Sequence, residues 1–268
     1  IDGESAYDSS GYSVSLSSDG TSVAIGAPYN EGGDNDSPSS GHVRIYSWNS
    51  ATSAWEQRGE DIDGGLAYDY SGHSVSLSSD GTTVAIGAPF HDGDNDSFTS
   101  GHVRIYSWNS ATSAWEQLGA DIDGESADDH SGWSVSLSSD GSTVAIGAPY
   151  HDGDNDSPSS GHVRIYSWNS ATGGWEQLGA DIDGESADDS SGYSVSLSYD
   201  GTTVAIGAPY HEGDNDSPAS GHVRIYSLDT MDGWVQQSAC DCDGNQLDEC
   251  GVCGGNGIAE GDCDCDGT

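Results

Sequence analysis

Acidic residues separated by single positions recur along the chain, and alternate carboxylates on a turning backbone can converge on one hard cation. The clearest set is Asp152, Asp154 and Asp156, with Gly153 supplying the turn; its counterparts are Asp92, Asp94 and Asp96, then Glu212, Asp214 and Asp216, then Glu31, Asp34 and Asp36. An all-oxygen donor set of this kind suits calcium, the cofactor the sequence predicts. A solvated polar loop is the plain alternative. The same loops carry Asn-Asp-Ser sequons at Asn35, Asn95, Asn155 and Asn215, which are N-glycosylation acceptors if a eukaryote secretes the protein. Pro38, Pro158 and Pro218 directly follow three of them and should hinder transfer, leaving Asn95 as the expected modified site.

A second kind of chemistry sits at the end of the chain. Cys240, Cys242, Cys250, Cys253, Cys263 and Cys265 crowd a Gly- and Asp-rich stretch with almost no apolar residues to hold it, so disulfides within residues 240–268 are expected. A Cys-x2-Cys pair can also hold zinc, but the acidic surroundings favour bridges. Asp241, Asp243, Asn245 and Asp248 form a ladder that resembles the calcium-binding loops of thrombospondin type 3 repeats, although Gly244 falls earlier than in those loops.

Charge narrows the classes of function. The 268 residues include 46 acidic and 5 basic ones, a formal net charge of -41, and every basic residue is Arg. Such a surface repels nucleic acid. It also repels itself unless cations or salt screen it, which points to bound calcium or a saline extracellular setting. No apolar run approaches the roughly 20 residues that a membrane-spanning helix needs. Ile1 occupies the place of Ile62, Ile122 and Ile182, so the chain is expected to open inside a repeat and to belong to a longer protein.

What must position these groups is a repeat. Aligned on Ile-Asp-Gly, copies start at Ile1, Ile62, Ile122 and Ile182, giving units 1–61, 62–121, 122–181 and 182–239. The residues are β-branched, aromatic and small, and no helical period persists, so the fold class is all-β. In the third copy, strands are expected over Trp133–Ser138, Thr143–Ala148, His162–Trp168 and Trp175–Leu178, with an Asp140-Gly141 hairpin turn and the acidic loop between them. Four short antiparallel strands per repeat describe a propeller-like array of sheets. Alternation groups Val135, Leu137, Val144, Ile146, Val163 and Ile165 on one face, and Ser134, Ser136, Ala145 and Gly147 on the other. The bulky face of one sheet would then nest on the small face of the next. His162, Arg164, Tyr166 and Trp168 alternate along the third strand, where the Arg is expected in an inter-repeat ion pair and the His and Tyr in hydrogen bonds between sheets.

These motifs resemble a known family. Ser-Gly-x-Ser-Val at Ser10, Ser71, Ser131 and Ser191, then Gly-Ala-Pro at Gly26, Gly87, Gly147 and Gly207, then Gly-His-Val-Arg-Ile-Tyr, are similar to the FG-GAP repeats of integrin alpha-chain propellers and of secreted microbial and algal proteins. The resemblance covers residues 1 to about 235 and implies a β-propeller, adhesion or scaffolding, and calcium. Two features depart from it. Ser stands for the Phe of Phe-Gly, and the calcium loop that the family places before its Gly-Ala-Pro strand is shortened to turns such as Ser139-Asp140-Gly141. Four copies also leave open whether the array closes as a ring, forms part of one, or stays an open stack.

The expectation drawn from all this is a non-enzymatic, extracellular structural or adhesion scaffold, a calcium-binding module of a larger cell-surface, coat or fibre protein. Its partners would be further repeats or other copies of itself. A lectin-like propeller is the alternative, with Trp48, Trp108 and Trp168 as sugar platforms. An asymmetric set of nucleophile, base and oxyanion donor is not apparent, so no catalytic residue is assigned.

Overall fold

In the computed structural model the described residues are 1–31, 37–93, 98–153, 157–212, 219–229 and 233–237, and they build four antiparallel sheets. Sheet 1 holds β1 (Ser13–Leu16), β2 (Ser22–Ala27), β3 (His42–Asn49), β4 (Ala54–Gln57) and β5 (Ile62–Asp63). Sheet 2 holds β6 (Ser74–Leu77), β7 (Thr83–Ala88), β8 (His102–Asn109), β9 (Ala114–Gln117) and β10 (Ile122–Asp123). Sheet 3 repeats this with β11 (Ser134–Leu137), β12 (Thr143–Ala148), β13 (His162–Asn169), β14 (Gly174–Gln177) and β15 (Ile182–Asp183). Sheet 4 has β16 (Ser194–Leu197), β17 (Thr203–Ala208), β18 (His222–Asp229) and β19 (Gly233–Gln236), and no fifth strand among the described residues.

Each sheet is a meander whose first hairpin turns on an Asp-Gly, preceded by Ser in the first three sheets and by Tyr199 in the fourth. In sheet 3 Asp140 Oδ1 accepts hydrogen bonds from Ser138 Oγ at 2.8 Å, Ser142 N at 3.0 Å and Ser142 Oγ at 2.7 Å, while Gly141 takes the left-handed φ of 70° that the turn needs. The carboxylate is spent on holding the hairpin. The short fifth strand is a strap: Ile122 pairs with Val103 and Asp123 with His102, so residues that open one sequence repeat finish the sheet of the repeat before it.

The register corrects one expectation. Val163 and Ile165 do not share a face with Val144 and Ile146, because Val144 pairs with Tyr166, Ala145 with Ile165 and Gly147 with Val163. Val135, Leu137, Val144, Ile146 and Tyr166 form one face; Ser134, Ser136, Ala145, Gly147, Val163 and Ile165 form the other. Both faces are therefore apolar, and the core lies between sheets. Ala85, Val103, Ile105 and Ile122 of sheet 2 pack on Leu137, Val144, Ile146 and Tyr166 of sheet 3, and the same pattern joins sheets 1 and 2 and sheets 3 and 4. Burying each such aliphatic side chain is worth about 1.5–3 kcal/mol, so a repeat depends on its neighbour for its core.

Small residues let the sheets approach. A Cβ on Gly147 would lie 2.0 Å from the carbonyl oxygen of Gly192 in the next sheet, and Gly26 and Gly87 are equally tight against Gly72 and Gly132. The innermost strands follow one another in propeller fashion, β1 on β6, β6 on β11, β11 on β16. No packing of comparable extent joins β16 back to β1 among the described residues.

Candidate functional site

Each sheet junction repeats one polar cluster at the β2–β3 end of the blade. Asp129 is buried, and its Oδ2 accepts from Ser126 N at 2.7 Å while its Oδ1 sits 3.0 Å from His151 Nδ1. The His151 ring stacks on His162, centroids 3.9 Å apart. The stack recurs as His91 on His102 and His211 on His222 at the same separation, with Asp69 and Asp189 beneath the first His of each. Asn30 stands in the place of that first His in the opening repeat.

The environments push the paired rings apart. Hydrogen bonding to Asp129 raises the His151 pKa against the opposing effect of burial. Burial drives His162 down to about 2 and His102 to about 3, with the neighbouring His and Arg adding to the effect. The Nδ1 atoms of His102 and His162 are buried with no hydrogen-bond partner among the described residues.

Arginine completes the cluster, and its acidic partner lies in its own sequence repeat rather than, as expected, in a neighbouring one. Arg164 Nη1 lies 3.3 Å from Glu125 Oε1 and its Nη2 donates to the Asp123 carbonyl at 2.6 Å, tying sheet 3 to the strap of sheet 2. Arg44 uses Glu4 and Arg224 uses Glu185 in the same way. Gly65 replaces this Glu in the second repeat, and Arg104 turns to Asp121 at 2.9 Å instead. Burial lifts the Glu125 carboxyl above the ordinary range in spite of Arg164.

Glu125, His151 and His162, and likewise Glu185, His211 and His222, bring ligand-type atoms within 4.8 Å of one another, as do Glu4, His42 and Asp61, and His102, Asp121 and Asp123. The stacked rings are 29° from parallel in the third repeat. Near-parallel imidazoles direct their nitrogen lone pairs side by side rather than at one point, so the arrangement suits hydrogen bonding better than a shared transition metal.

Of the expected calcium ligands, Asp92, Asp152, Glu31 and Glu212 fall within the described residues. Asp152 Oδ1 accepts from Ser159 N and Asp92 Oδ1 from Thr99 N, both at 2.9 Å, which fixes one carboxylate at the root of these two loops. The donor chemistry fits calcium. Asp34, Asp36, Asp94, Asp96, Asp154, Asp156, Asp214 and Asp216, the sequons, Asp241, Asp243, Asn245, Asp248 and the six cysteines lie outside the described residues.

The expected sugar platforms each contact a second Trp of their own sheet, and Trp48 stays exposed. Trp168 meets its cross-strand partner Trp175 at 5.5 Å with the rings steeply tilted, Trp108 meets Trp115 and Trp48 meets Trp55 edge-on, and the Arg58 guanidinium covers the Trp108 ring. A different aromatic band crosses the array at the entry to the innermost strands. Tyr12, His73, Trp133 and Tyr193, one per repeat, make a chain of ring contacts joined by Tyr29, Phe90, Tyr150 and Tyr210. The signal was in the sequence: the x of Ser-Gly-x-Ser-Val is aromatic or His in every copy.

Grooves also repeat. One of 480 Å3 is lined by Glu60, Asp61, Asp63, Tyr106 and Trp115 at the first junction, and its counterpart of 310 Å3 by Asp121, Asp123, Tyr166 and Trp175 at the second. Residues 121–166 match the FG-GAP repeat model. The matched segment runs from Asp121, just before the β10 strap, into β13, and its text returns in the other three copies. No curated protein matches the chain. Among solved structures, the periplasmic gluconolactonase PpgL of Pseudomonas aeruginosa aligns with a TM-score of 0.53 at 13% identity, over 84% of this chain and 56% of that one. Hydrazine synthase of Kuenenia stuttgartiensis gives 0.49 at 10% identity over 89% and 52%, and a protein described as a 6-phosphogluconolactonase of Bacteroides uniformis gives 0.46 at 13% over 84% and 70%. The chain spans about half the length of the first two, and the first likeness shows a shared fold.

Proposed function

We propose that this chain is an extracellular structural and adhesion scaffold, a calcium-binding module of a larger cell-surface, coat or fibre assembly. One observation carries the reading: the His pair with its buried Asp recurs in three repeats, and at the last two junctions an Arg ties its sheet to the strap of the sheet before it. Catalysis asks instead for unlike groups converging on one reacting atom. The FG-GAP match supports an extracellular setting, and the net charge of -41 supports a role for bound cations. Likeness to a gluconolactonase at 13% identity speaks for the fold and brings no catalytic residue with it.

The second reading is a lectin, and what favours it is the aromatic band, where Tyr12, Tyr29, Tyr193 and Tyr210 are exposed. Screening the protein on a glycan array separates the two. A scaffold leaves the array blank while still coating or bridging surfaces in an adhesion assay. Binding to one glycan class that is lost in Trp133→Ala replaces the scaffold by the lectin.

A further inference from the structure

The junction between sheets is made three times within the chain, with one set of contacts. From the leading sheet, Ser13, Ser74 and Ser134 donate Oγ–H to the carbonyls of Gly72, Gly132 and Gly192 at 2.7–2.8 Å. The hydroxyls of Ser15, Ser76 and Ser136 accept from Leu77, Leu137 and Leu197 N, each at 2.9 Å. From the following sheet, Trp115, Trp175 and Trp234 donate Nε1–H back to the carbonyls of Arg58, Leu118 and Leu178 at 2.7–2.8 Å. A two-residue strap then pairs with the start of the third strand, Ile62 with Val43 and Asp63 with His42.

Sheet 4 carries the leading half of this junction with nothing on it among the described residues. Val223 is 66% and Ile225 42% exposed, whereas the equivalent Val163 and Ile165 are 0% and 2% exposed. The three atoms nearest a Cβ on Gly207 all belong to Ser194 of its own sheet, where Gly26, Gly87 and Gly147 meet the backbone of the following sheet first. Sheet 4 is also the one with no strap among the described residues. Sheet 1 carries the following half, equally bare among the described residues. Val14 and Leu16 are 64% and 60% exposed against 9% and 7% for Val75 and Leu77. Ile1 and Asp2, the strap residues of this copy, are in no strand, and Ile1 is exposed.

We propose that sheet 4 of one copy receives sheet 1 of a second copy, reproducing the internal junction between molecules. The inference rests on the scaffold reading and names its partner, a second copy of this chain. The established junction fixes every element of the contact. Ile1 pairs with the partner subunit's Val223 and Asp2 with the partner subunit's His222, extending that sheet by a fifth strand. Ser194 donates to the Gly11 carbonyl, Leu16 N donates to Ser196, and Trp55 donates to the Gln237 carbonyl. Donor meets acceptor at each of these positions, and the apolar pair Val223 and Ile225 is covered by Val14 and Leu16. The contact is head-to-tail, so it closes into a ring of two or more copies or runs on as a fibre, depending on the rotation at each step.

The experiment mixes two complementary variants of the full chain. Val14→Asp spoils the following face and Val223→Asp the leading face; both sites are exposed in the single copy, so circular dichroism and thermal melting should match the parent. Masses are measured by sedimentation at micromolar protein in roughly 0.5 M salt, where a Debye length of about 4 Å screens the charge. The parent should form species of two or more copies, each variant alone should be a monomer, and the 1:1 mixture should give a dimer and nothing larger. A monomeric parent at every concentration overturns the proposal, since the faces are then covered within one chain by ring closure or by residues 238–268. So do variants that assemble like the parent, or a mixture that stays monomeric. These outcomes are independent of the glycan array, on which the scaffold reading itself stands or falls.

Discussion

His151 and His162 stack with ring centroids 3.9 Å apart, yet one is held by a buried carboxylate and the other has no hydrogen-bond partner for its Nδ1 among the described residues. The two rings consequently answer acid in opposite ways. His162, pushed down to about 2, stays neutral in the fold and takes a proton first in the unfolded chain. Its contribution is present above the unfolded value near 6.5 and is lost as pH falls from there toward about 2, at up to about 1.4 kcal/mol per pH unit. His151, raised by Asp129, contributes stability that is complete below about 6.5 and is lost as pH rises through its folded value. Urea unfolding of the parent and of His162→Gln at pH 7 and pH 5 isolates the first effect. The parent should lose about 2 kcal/mol more than the variant over that interval; equal losses would show that His162 is not kept neutral by burial.

Trp175→Phe removes the Nε1 donor that bonds the Leu118 carbonyl across a junction and leaves that carbonyl bare. The cost should be about 1–2 kcal/mol in denaturant unfolding. Trp55→Phe, at the equivalent place in sheet 1 with no sheet packed before it among the described residues, should cost under about 0.5 kcal/mol when the protein is monomeric. Equal costs at the two positions would assign the effect to the Trp-Trp contact within each sheet rather than to the junction.

The fold was legible where interactions are short in sequence. The Asp140-Gly141 turn announces the β11–β12 hairpin, and the strand bounds follow from β-branched runs on either side of it. The face of Val163 and Ile165 was not legible, because alternation counts parity along one strand and says nothing across the acidic loop. There the pairing of Val144 with Tyr166 decides. It puts Tyr166 rather than Val163 beside Val144. The polar cluster was hidden for a related reason: Asp129 and His151 are 22 residues apart and meet only when sheets 2 and 3 pack. A recurring Asp at 8, 69, 129 and 189 together with His at 91, 151 and 211 was the available signal. The repeat boundary shifted because Ile62, Ile122 and Ile182 serve the sheet behind them.

Calcium should bind at the acidic loops. Asp152 is already oriented by Ser159 N, and Asp154 and Asp156 follow it at alternate positions in the sequence. Calorimetric titration of the parent should show uptake that falls when Asp152, Asp154 and Asp156 are changed together to Asn, because Asn keeps an oxygen donor while removing the charge that draws a hard cation. Uptake should not fall equally when the hairpin residue Asp140 is changed, since its carboxylate is occupied by Ser138 and Ser142. Identical heats from the parent and the triple variant would refute calcium at these loops.

Gly147 and Gly207 occupy the same place in consecutive sheets and face different surroundings. A methyl group on Gly147 would meet the Gly192 carbonyl oxygen at 2.0 Å, a backbone atom that can withdraw only if the junction opens. On Gly207 the nearest neighbour is the Ser194 hydroxyl at 2.4 Å, which can rotate away. Overpacking of the first kind costs about 1–3 kcal/mol, so Gly147→Ala should lower the unfolding free energy of the monomer by at least about 1 kcal/mol more than Gly207→Ala does. The order should reverse for assembly. Gly207→Ala places its methyl group where the carbonyl of the partner subunit's Gly11 would sit, and it should weaken association at least tenfold while the monomer melts much as the parent does. Equal effects of the two substitutions on monomer stability would mean that the sheets are not in backbone contact at Gly147, and the nested array described above would have to be abandoned.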